Sequence, residues 1–253
     1  MNECYHDKFD SQMLGRNVYK LQLRDEVADA AELRSLYAGE PAEVLFCFSE
    51  YSPRNSAALQ AEGFSFISIR NTYELKLDAA QVAKLTSSTS TTPADVDLVM
   101  ASDGVPELPP QDLLGLAETL GETSRYFKDT NIPRETSLKV YQAWLHNSLY
   151  NGYANDVVLA MKDSASAPEM AGIHTLKWKN GTGVVDLIGV QPRYQQHGLG
   201  RALLQAGLRT FTQHGLTCVE VVTEGENVPA SRFYQKNGFL LRSVQLVWHK
   251  HLR

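Results

Sequence analysis

Between Val184 and Ala202 the chain reads VVDLIGVQPRYQQHGLGRA, and no other stretch of its 253 residues restricts the fold as much. Val184 to Val190 is β-branched and apolar apart from Asp186, the pattern of a strand. Pro192, with no N–H to give a ladder, ends it. Gln195-Gln196-His197-Gly198-Leu199-Gly200 follows, then an amphipathic run from Arg201 to Gln213. A strand, a short glycine-bearing turn and a helix in that order aim several backbone N–H groups at one point. The unpaired amides of a helix start and the positive end of its dipole attract anions. Gly198 and Gly200 carry no Cβ, so a bulky polyanion such as a pyrophosphate can approach the backbone. The function is expected to sit here.

The flanking sequence supplies alternating β and α signals. Residues 17–23 alternate as a strand. Asp25 is expected to cap a helix through Tyr37 whose apolar face holds Val27, Ala30, Ala31, Leu33 and Leu36. Val44–Phe48 reads as a buried strand, Pro53–Glu62 as a helix stopped by Gly63, and Phe64–Leu77 as a strand. The order β-α-β-α-β predicts a small α/β domain over residues 1–85. Residues 86–95, TSSTSTTPAD, cannot bury apolar area and read as a linker. A second domain over 96–253 is then expected. Its strand Val96–Met100 is followed by helices Pro109–Leu120 and Glu135–Leu149, and by strands Asp156–Lys162, Met170–Trp178 and Gly183–Val190. DSASAP and KNGTG are polar hinges between the strands, and Lys179-Asn180-Gly181 is a hairpin signal that makes those strands antiparallel neighbours. After the Gly-turn helix come the strand Cys218–Thr223, the helix Pro229–Asn237 ended by Gly238, and the strand Phe239–His249.

Composition narrows the class of protein. The net charge of -5 and the lack of a basic, aromatic-interleaved patch argue against nucleic acid as a partner. No apolar run approaches the roughly 20 residues that span a bilayer, and MNECYHDKFD lacks the apolar core of a signal peptide. A cytoplasmic protein without a membrane partner is expected. Cys47 and Cys218 lie in apolar strand patterns and are expected as reduced core residues; Cys4 is isolated. His174, His197 and His214 show no ligand spacing, so no metal is expected.

Val190-Gln191-Pro192-Arg193-Tyr194-Gln195-Gln196-His197-Gly198-Leu199-Gly200 resembles the acyl-CoA pyrophosphate loop of the GNAT superfamily of N-acetyltransferases, V-x-P-x-x-(Q/R)-x-x-G-x-(G/A). Asn227, Ala230, Tyr234, Gly238 and Phe239 resemble that family's second signature, N-x-x-A-x-x-x-Y-x-x-x-G-F. The resemblance covers about residues 95–253. It implies a mixed, mostly antiparallel α/β (α+β) sheet with a V-shaped splay, flanked by helices, and acetyl-CoA as co-substrate. It implies that Gln195, Gln196, His197, Gly198, Leu199, Gly200 and Arg201 hold the pyrophosphate. Leu187 to Val190, with Ile188, Gly189 and Val190 foremost, and the end of Val219–Thr223 would pair with the pantetheine arm as with an added strand, and Asn227, Ala230 and Tyr234 would border it. Tyr234 matches the usual general acid, which protonates the leaving thiolate. His197 is read as a solvent-facing spacer, and Arg193 and Arg201 either touch phosphates or face solvent. For the base that deprotonates the attacking amine, Asp186, Glu220 and Glu74 stay open.

The first half also bears on the acceptor. Asp7 to Val18, DKFDSQMLGRNV, resembles the opening of two-domain sugar N-acetyltransferases that act on dTDP-linked amino-deoxysugars, with Phe9 in the place of a Trp. The segment Ser124-Arg125-Tyr126-Phe127 and the closing Val247-Trp248-His249-Lys250 extend that likeness. It implies that Arg125, Tyr126 and Phe127 border the acceptor cleft, as faces for a thymine or sugar and a contact for a phosphate. A loop packed by its own aromatics is the competing reading. Direct transfer to a nucleotide-linked aminosugar in a ternary complex is the leading expectation, with a homodimer allowed. A protein or peptide acceptor, or a non-catalytic acyl-CoA-binding module, are the alternatives.

Overall fold

The computed structural model of the chain describes residues 1–87, 92–93, 95–106, 108–162 and 168–252. Half of the expected linker (88–91 and 94) and residues 163–167 of the DSASAP hinge lie outside the described residues. Along the chain run β1 (Glu3–His6), α1 (Lys8–Leu14), β2 (Val18–Leu23), α2 (Ala30–Ser35), β3 (Val44–Ser49), α3 (Pro53–Ala61), β4 (Ser65–Lys76) and α4 (Ala79–Ser87). They are followed by β5 (Val96–Met100), α5 (Pro110–Gly121), α6 (Arg125–Lys128), α7 (Arg134–Tyr150), β6 (Asp156–Lys162), β7 (Glu169–Lys179) and β8 (Thr182–Val190). The chain ends with α8 (Leu199–Gln213), β9 (Cys218–Glu224), α9 (Val228–Lys236) and β10 (Leu240–His251).

Among the described residues all ten strands join one sheet, in the order β1-β2-β3-β10-β4-β9-β8-β7-β6-β5. Neighbours are antiparallel except β2 with β3 and β8 with β9. The order is close to a palindrome. Each half contributes strand, helix, parallel strand, helix and a final strand, and the two final strands, β4 and β10, exchange places at the centre. β4 thus pairs with β10 on one side and with β9 on the other. Helices cover both faces, and among the described residues the apolar interior falls into three clusters. One lies between β8, β9 and α8 around Leu203 and Phe211, a second against α5 and α7 around Leu116 and Leu145, and a third in the first half around Leu33 and Leu59. No helix among the described residues is long and apolar enough to cross a membrane.

Several local readings shift. The helix expected from Asp25 begins instead at Ala30, because Asp29 accepts the Glu32 N–H and so caps it. Thr86 and Ser87, expected in the linker, finish α4, whose Leu85 is buried. β1 and α1 were not foreseen; α1 is capped by Asp7, which accepts the Asp10 N–H at 2.8 Å, and stops at the left-handed Gly15. The Lys179–Gly181 hairpin is present, with positive φ at both Asn180 and Gly181, as a tight turn of that twist requires. Cys47 is buried and Cys218 only half-buried; both are free thiols.

Candidate active site

A single extra residue in β8 opens the site. Thr175 of β7 lies opposite Leu187 and Leu176 opposite Val185, which leaves Asp186 without a partner. Such a bulge bends its strand and raises the local twist. The parallel pairing of β8 with β9 stops at the same place: Val185↔Val221 is the last pair, although β8 runs on to Val190 and β9 to Glu224. The fork therefore opens at Asp186. Thr175 Oγ1 accepts the Leu187 N–H there at 2.9 Å. Beyond it, Ile188 and Val190 turn their backbone groups to the gap, while the Gly189 carbonyl points back toward Gly172 of β7.

Past the fork the chain turns into α8. Gln196 takes a positive φ of 66° and Gly198 one of 82°, and Gly198 caps α8 without any side-chain hydrogen bond. The first amides of α8 are thus left for another acceptor. Gln195, Gln196, His197, Gly198 and Arg201 are exposed, whereas the Leu199 side chain is buried and offers only its backbone. Gln195 Nε2 donates to the Val190 carbonyl at 3.0 Å and ties the turn to the strand end. Arg193 is held by Glu169 at 3.1 Å and so points away from the turn.

The second signature has a local physical account. Asn227 caps α9 by accepting the Ala230 N–H at 3.1 Å, and donates from Nδ2 to Thr123 Oγ1 at 3.2 Å. Ala230 and Tyr234 are four apart and share a helix face. Gly238, at φ 91°, stops the helix, and Phe239 folds back on Tyr234 with ring centroids 5.7 Å apart. Tyr234 is 5% exposed, and burial pushes its phenol up from its ordinary value, so it keeps its proton at neutral pH. Among the described residues its hydroxyl has no hydrogen-bond partner.

Asn227, Ala230, Tyr234 and Ile188 line one cavity of about 510 Å³. Its opposite wall comes from the first half, through Tyr5, Asp7, Asp10, Lys20, Phe48 and Arg70. Arg125 and Tyr126 also line it, but Phe127 does not. Phe127 instead fills the space over Gly121, where a Cβ would come within 2.5 Å of its ring. Tyr126 is 2% exposed and stacks edgewise on Phe46 and Tyr141, so its ring is not an open face for a base or sugar. Its hydroxyl donates to Asp10 Oδ1 at 2.6 Å, and Arg125 reaches the other oxygen of Asp10 at 3.4 Å. Asp10 and the Arg125–Tyr126 pair, which lie 115 residues apart, are thereby joined in one buried cluster. Lys20 completes it, at 3.0 Å from Asp10. Asp10 went unnoticed in the sequence because its buried partners are remote.

Of the three carboxylates open as bases, only Asp186 lies on the cavity. It accepts the Trp144 Nε1–H at 2.7 Å and lies 3.2 Å from Lys177 Nζ. Burial raises its carboxyl above the ordinary value, against the pull of those two partners. Glu220 and Glu74 both pair with Arg242 and line no part of the cavity. Glu224, at the tip of β9, does line it. The histidines weighed as ligands are not brought together. A different trio meets at the end of α6, where Asp129 Oδ2 contacts His249 Nδ1 at 2.7 Å and His251 Nε2 at 2.8 Å.

Comparison with known proteins places this geometry. Residues 122–239 match the acetyltransferase (GNAT) family. A mycothiol acetyltransferase of Corynebacterium aurimucosum is 38% identical over 89 residues, 34% of this chain and 29% of that protein. One of Saccharomonospora viridis is 49% identical over 57 residues, 22% of this chain and 19% of that protein. The matched stretches thus span less than a third of those relatives' length. Among solved structures, a GCN5-related N-acetyltransferase from Sphaerobacter thermophilus superposes with a TM-score of 0.60 at 15% identity, covering 99% of this chain and 77% of that one. A tandem GNAT protein from the clavulanic acid biosynthesis pathway superposes with a TM-score of 0.59 at 16% identity, covering 92% and 75%. At that identity the likeness is one of fold. The fork, the open turn and the capped tyrosine helix all lie inside the segment, residues 122–239, that matches the acetyltransferase (GNAT) family.

Proposed function

We propose that the chain transfers the acetyl group of acetyl-CoA directly to a primary amine of a small molecule, with both substrates bound at once. The pyrophosphate sits on the amides of the Gln195–Arg201 turn, and the pantetheine arm pairs with Ile188 to Val190 in the fork. The amine nitrogen attacks the thioester carbon, an N–C bond forms, and the C–S bond breaks. Tyr234, still protonated at neutral pH, gives its proton to the departing thiolate. The attacking ammonium first loses its proton to Asp186, whose raised carboxyl is a better base than an exposed one.

The observation that carries this reading is the shared cavity of about 510 Å³, with the fork and Tyr234 on one wall and the first half of the chain on the other. Walls from both halves suit an enclosed small acceptor better than a peptide strand. The relatives' name, which speaks of mycothiol, favours a small molecule too. A nucleotide-linked aminosugar is the acceptor we favour, with the exposed Tyr5 ring available to an apolar face and Arg70 to a phosphate. The test is release of free CoA thiol from acetyl-CoA in the presence of dTDP-aminosugars, simple amines and peptides. Turnover with a small amine is expected, and turnover with peptides alone overturns the acceptor class. Tyr234→Phe is expected to lower kcat by about 100-fold or more, within the range for lost general-acid help, while acetyl-CoA affinity holds. Unchanged kcat removes Tyr234 from the chemistry.

A further inference from the structure

Arg70 of β4 and Glu224 of β9 are register partners, so their side chains start side by side on one face of the sheet. An ion pair between them would be the ordinary result, and it is not formed. Glu224 turns instead to Ser68, whose hydroxyl donates to Oε2 at 2.6 Å, and to the Arg125 amide, which donates to Oε1 at 3.2 Å. Arg70 turns the other way, over the Phe48 ring at 5.3 Å, with only a 3.5 Å contact to the side-chain oxygen of Gln245. Among the described residues Arg70 makes no ion pair. Both residues line the cavity that holds Tyr234.

The neighbourhood sharpens the imbalance. Arg125 lies over the same Phe48 ring at 5.6 Å, but it has Asp10 and Tyr126 as partners. Lys20 has Asp7 and Asp10. Arg70 alone of these three cations lacks a carboxylate within ion-pair distance. Burial and the nearby Arg125 both work against its charge, with Glu224 the main group favouring it. A guanidinium kept in such a place without a bound anion is costly unless a ligand supplies one.

We infer that Arg70 and Glu224 hold the acceptor as a zwitterion, Glu224 taking the ammonium and Arg70 an anionic group of the same molecule. The two side chains start about 5 Å apart at Cβ and turn to opposite sides, so the amine and the anion of the acceptor are set apart rather than adjacent. A carboxylate, as in an amino acid, and a phosphate, as in an aminosugar nucleotide, share this chemistry. The inference rests on the proposed acetyl transfer and adds the charge class of the acceptor to it.

The experiment compares matched acceptors with the full chain: an amino acid against its amide, and a dTDP-aminosugar against the free aminosugar. CoA thiol release gives kcat/KM for each. The anionic member of at least one pair is expected to be used about 10-fold or more better, the scale of a charge-assisted hydrogen bond. The pair that shows the preference identifies the carboxylate or the phosphate. In Arg70→Gln that ratio should fall towards one, and Arg70→Lys should restore part of it. Equal use of charged and neutral members by the wild type overturns the inference and leaves acetyl transfer standing. So does a loss in Arg70→Gln that is the same for both members, which would make Arg70 a packing residue. No transfer to any amine defeats the transferase reading itself.

Discussion

Two methyl groups, placed at Gly198 and at Gly200, should have opposite effects, and the contrast tests where the anion sits. Gly198 caps α8 with φ at 82°, a left-handed conformation that costs an L-residue with a Cβ about 1–2 kcal/mol. Gly198→Ala can keep the turn and bear that cost, or relax the turn and swing its amides away. Either way acetyl-CoA affinity or stability falls, and 1.4 kcal/mol is about tenfold in affinity. Gly200 is already helical, and a Cβ there would meet only the Phe233 ring at 3.7 Å and Val190 Cγ2 at 3.8 Å, ordinary contact distances. Gly200→Ala should therefore gain about 0.5–1 kcal/mol of helix stability and lose at most about threefold in affinity, roughly 0.6 kcal/mol. Urea melts give the stabilities, and calorimetric titration with acetyl-CoA gives the affinities. If Gly200→Ala loses more affinity than Gly198→Ala, the pyrophosphate lies against the first turn of the helix rather than in the loop before it. If both bind as wild type does, the turn is a connection and not a cofactor site.

Other outcomes follow from the buried titrating groups. Asp186→Asn should remove the rise of kcat/KM with pH on the acid side, because the ionised carboxylate is the proposed base. In the wild type that rise should lie above the ordinary carboxylate range, since burial raises this group; an identical pH profile in the variant would clear Asp186 of the role. His174 is wholly buried with Nδ1 at 3.0 Å from the Leu203 carbonyl, and burial lowers its pKa to about 4. Its folded pKa lies below the unfolded value of about 6.5, so its neutral form supports the fold above that pH and the support is lost as pH falls towards 4. At pH 5 the loss is about 2 kcal/mol. His249, also lowered by burial, titrates in the same direction, so the difference between wild type and His174→Gln isolates His174. Urea melts at pH 7.5 and 5 that shift equally in both proteins would contradict the assignment.

Local chemistry was legible in the sequence at the Gly198–Gly200 turn and from Asn227 to Phe239, though not at α1, whose Asp7 cap and Gly15 stop are equally local. The Gly198–Gly200 turn needs a left-handed residue and an open helix start, and only certain residues allow these. Asn227, Gly238 and Phe239 likewise declare a cap, a stop and a fold-back. The Asp186 bulge was not legible, because an unpaired residue in an apolar strand looks like any other residue until its neighbour's register is known. The same holds for Asp10. A buried aspartate on a seven-residue helix makes sense only beside Tyr126, Arg125 and Lys20. Tyr126 and Phe127 looked like recognition aromatics because exposure cannot be read from residue type. One ring is packed under Asp10 and the other over Gly121.

The palindromic sheet explains why one half of the chain has a fork and the other does not. β2 and β3 are the first-half counterparts of β8 and β9, and they pair without interruption from Val18↔Val44 to Leu23↔Ser49. No bulge separates them, so no strand edge is freed for an extended ligand. The connection from β2 to α2 carries Asp25, Glu26 and Asp29, and Asp29 occupies the helix start that Gly198 leaves open in α8. An acidic, self-capped turn repels the anion that the other turn attracts. The first half is thus unfit to hold an acyl-CoA by the means proposed for the second. What it does instead is deliver α1, β2 and the swapped strand β4 to the rim of the fork, with Asp10, Lys20 and Arg70 on them. Under the proposed function, cofactor binding is confined to β8, α8 and α9, and acceptor charge is set largely from the first half. Substitutions at Arg70 should then move acceptor preference without moving acetyl-CoA affinity, while substitutions at Gly198 should do the reverse. A variant at Arg70 that weakens acetyl-CoA binding as much as Gly198→Ala would break that division of labour.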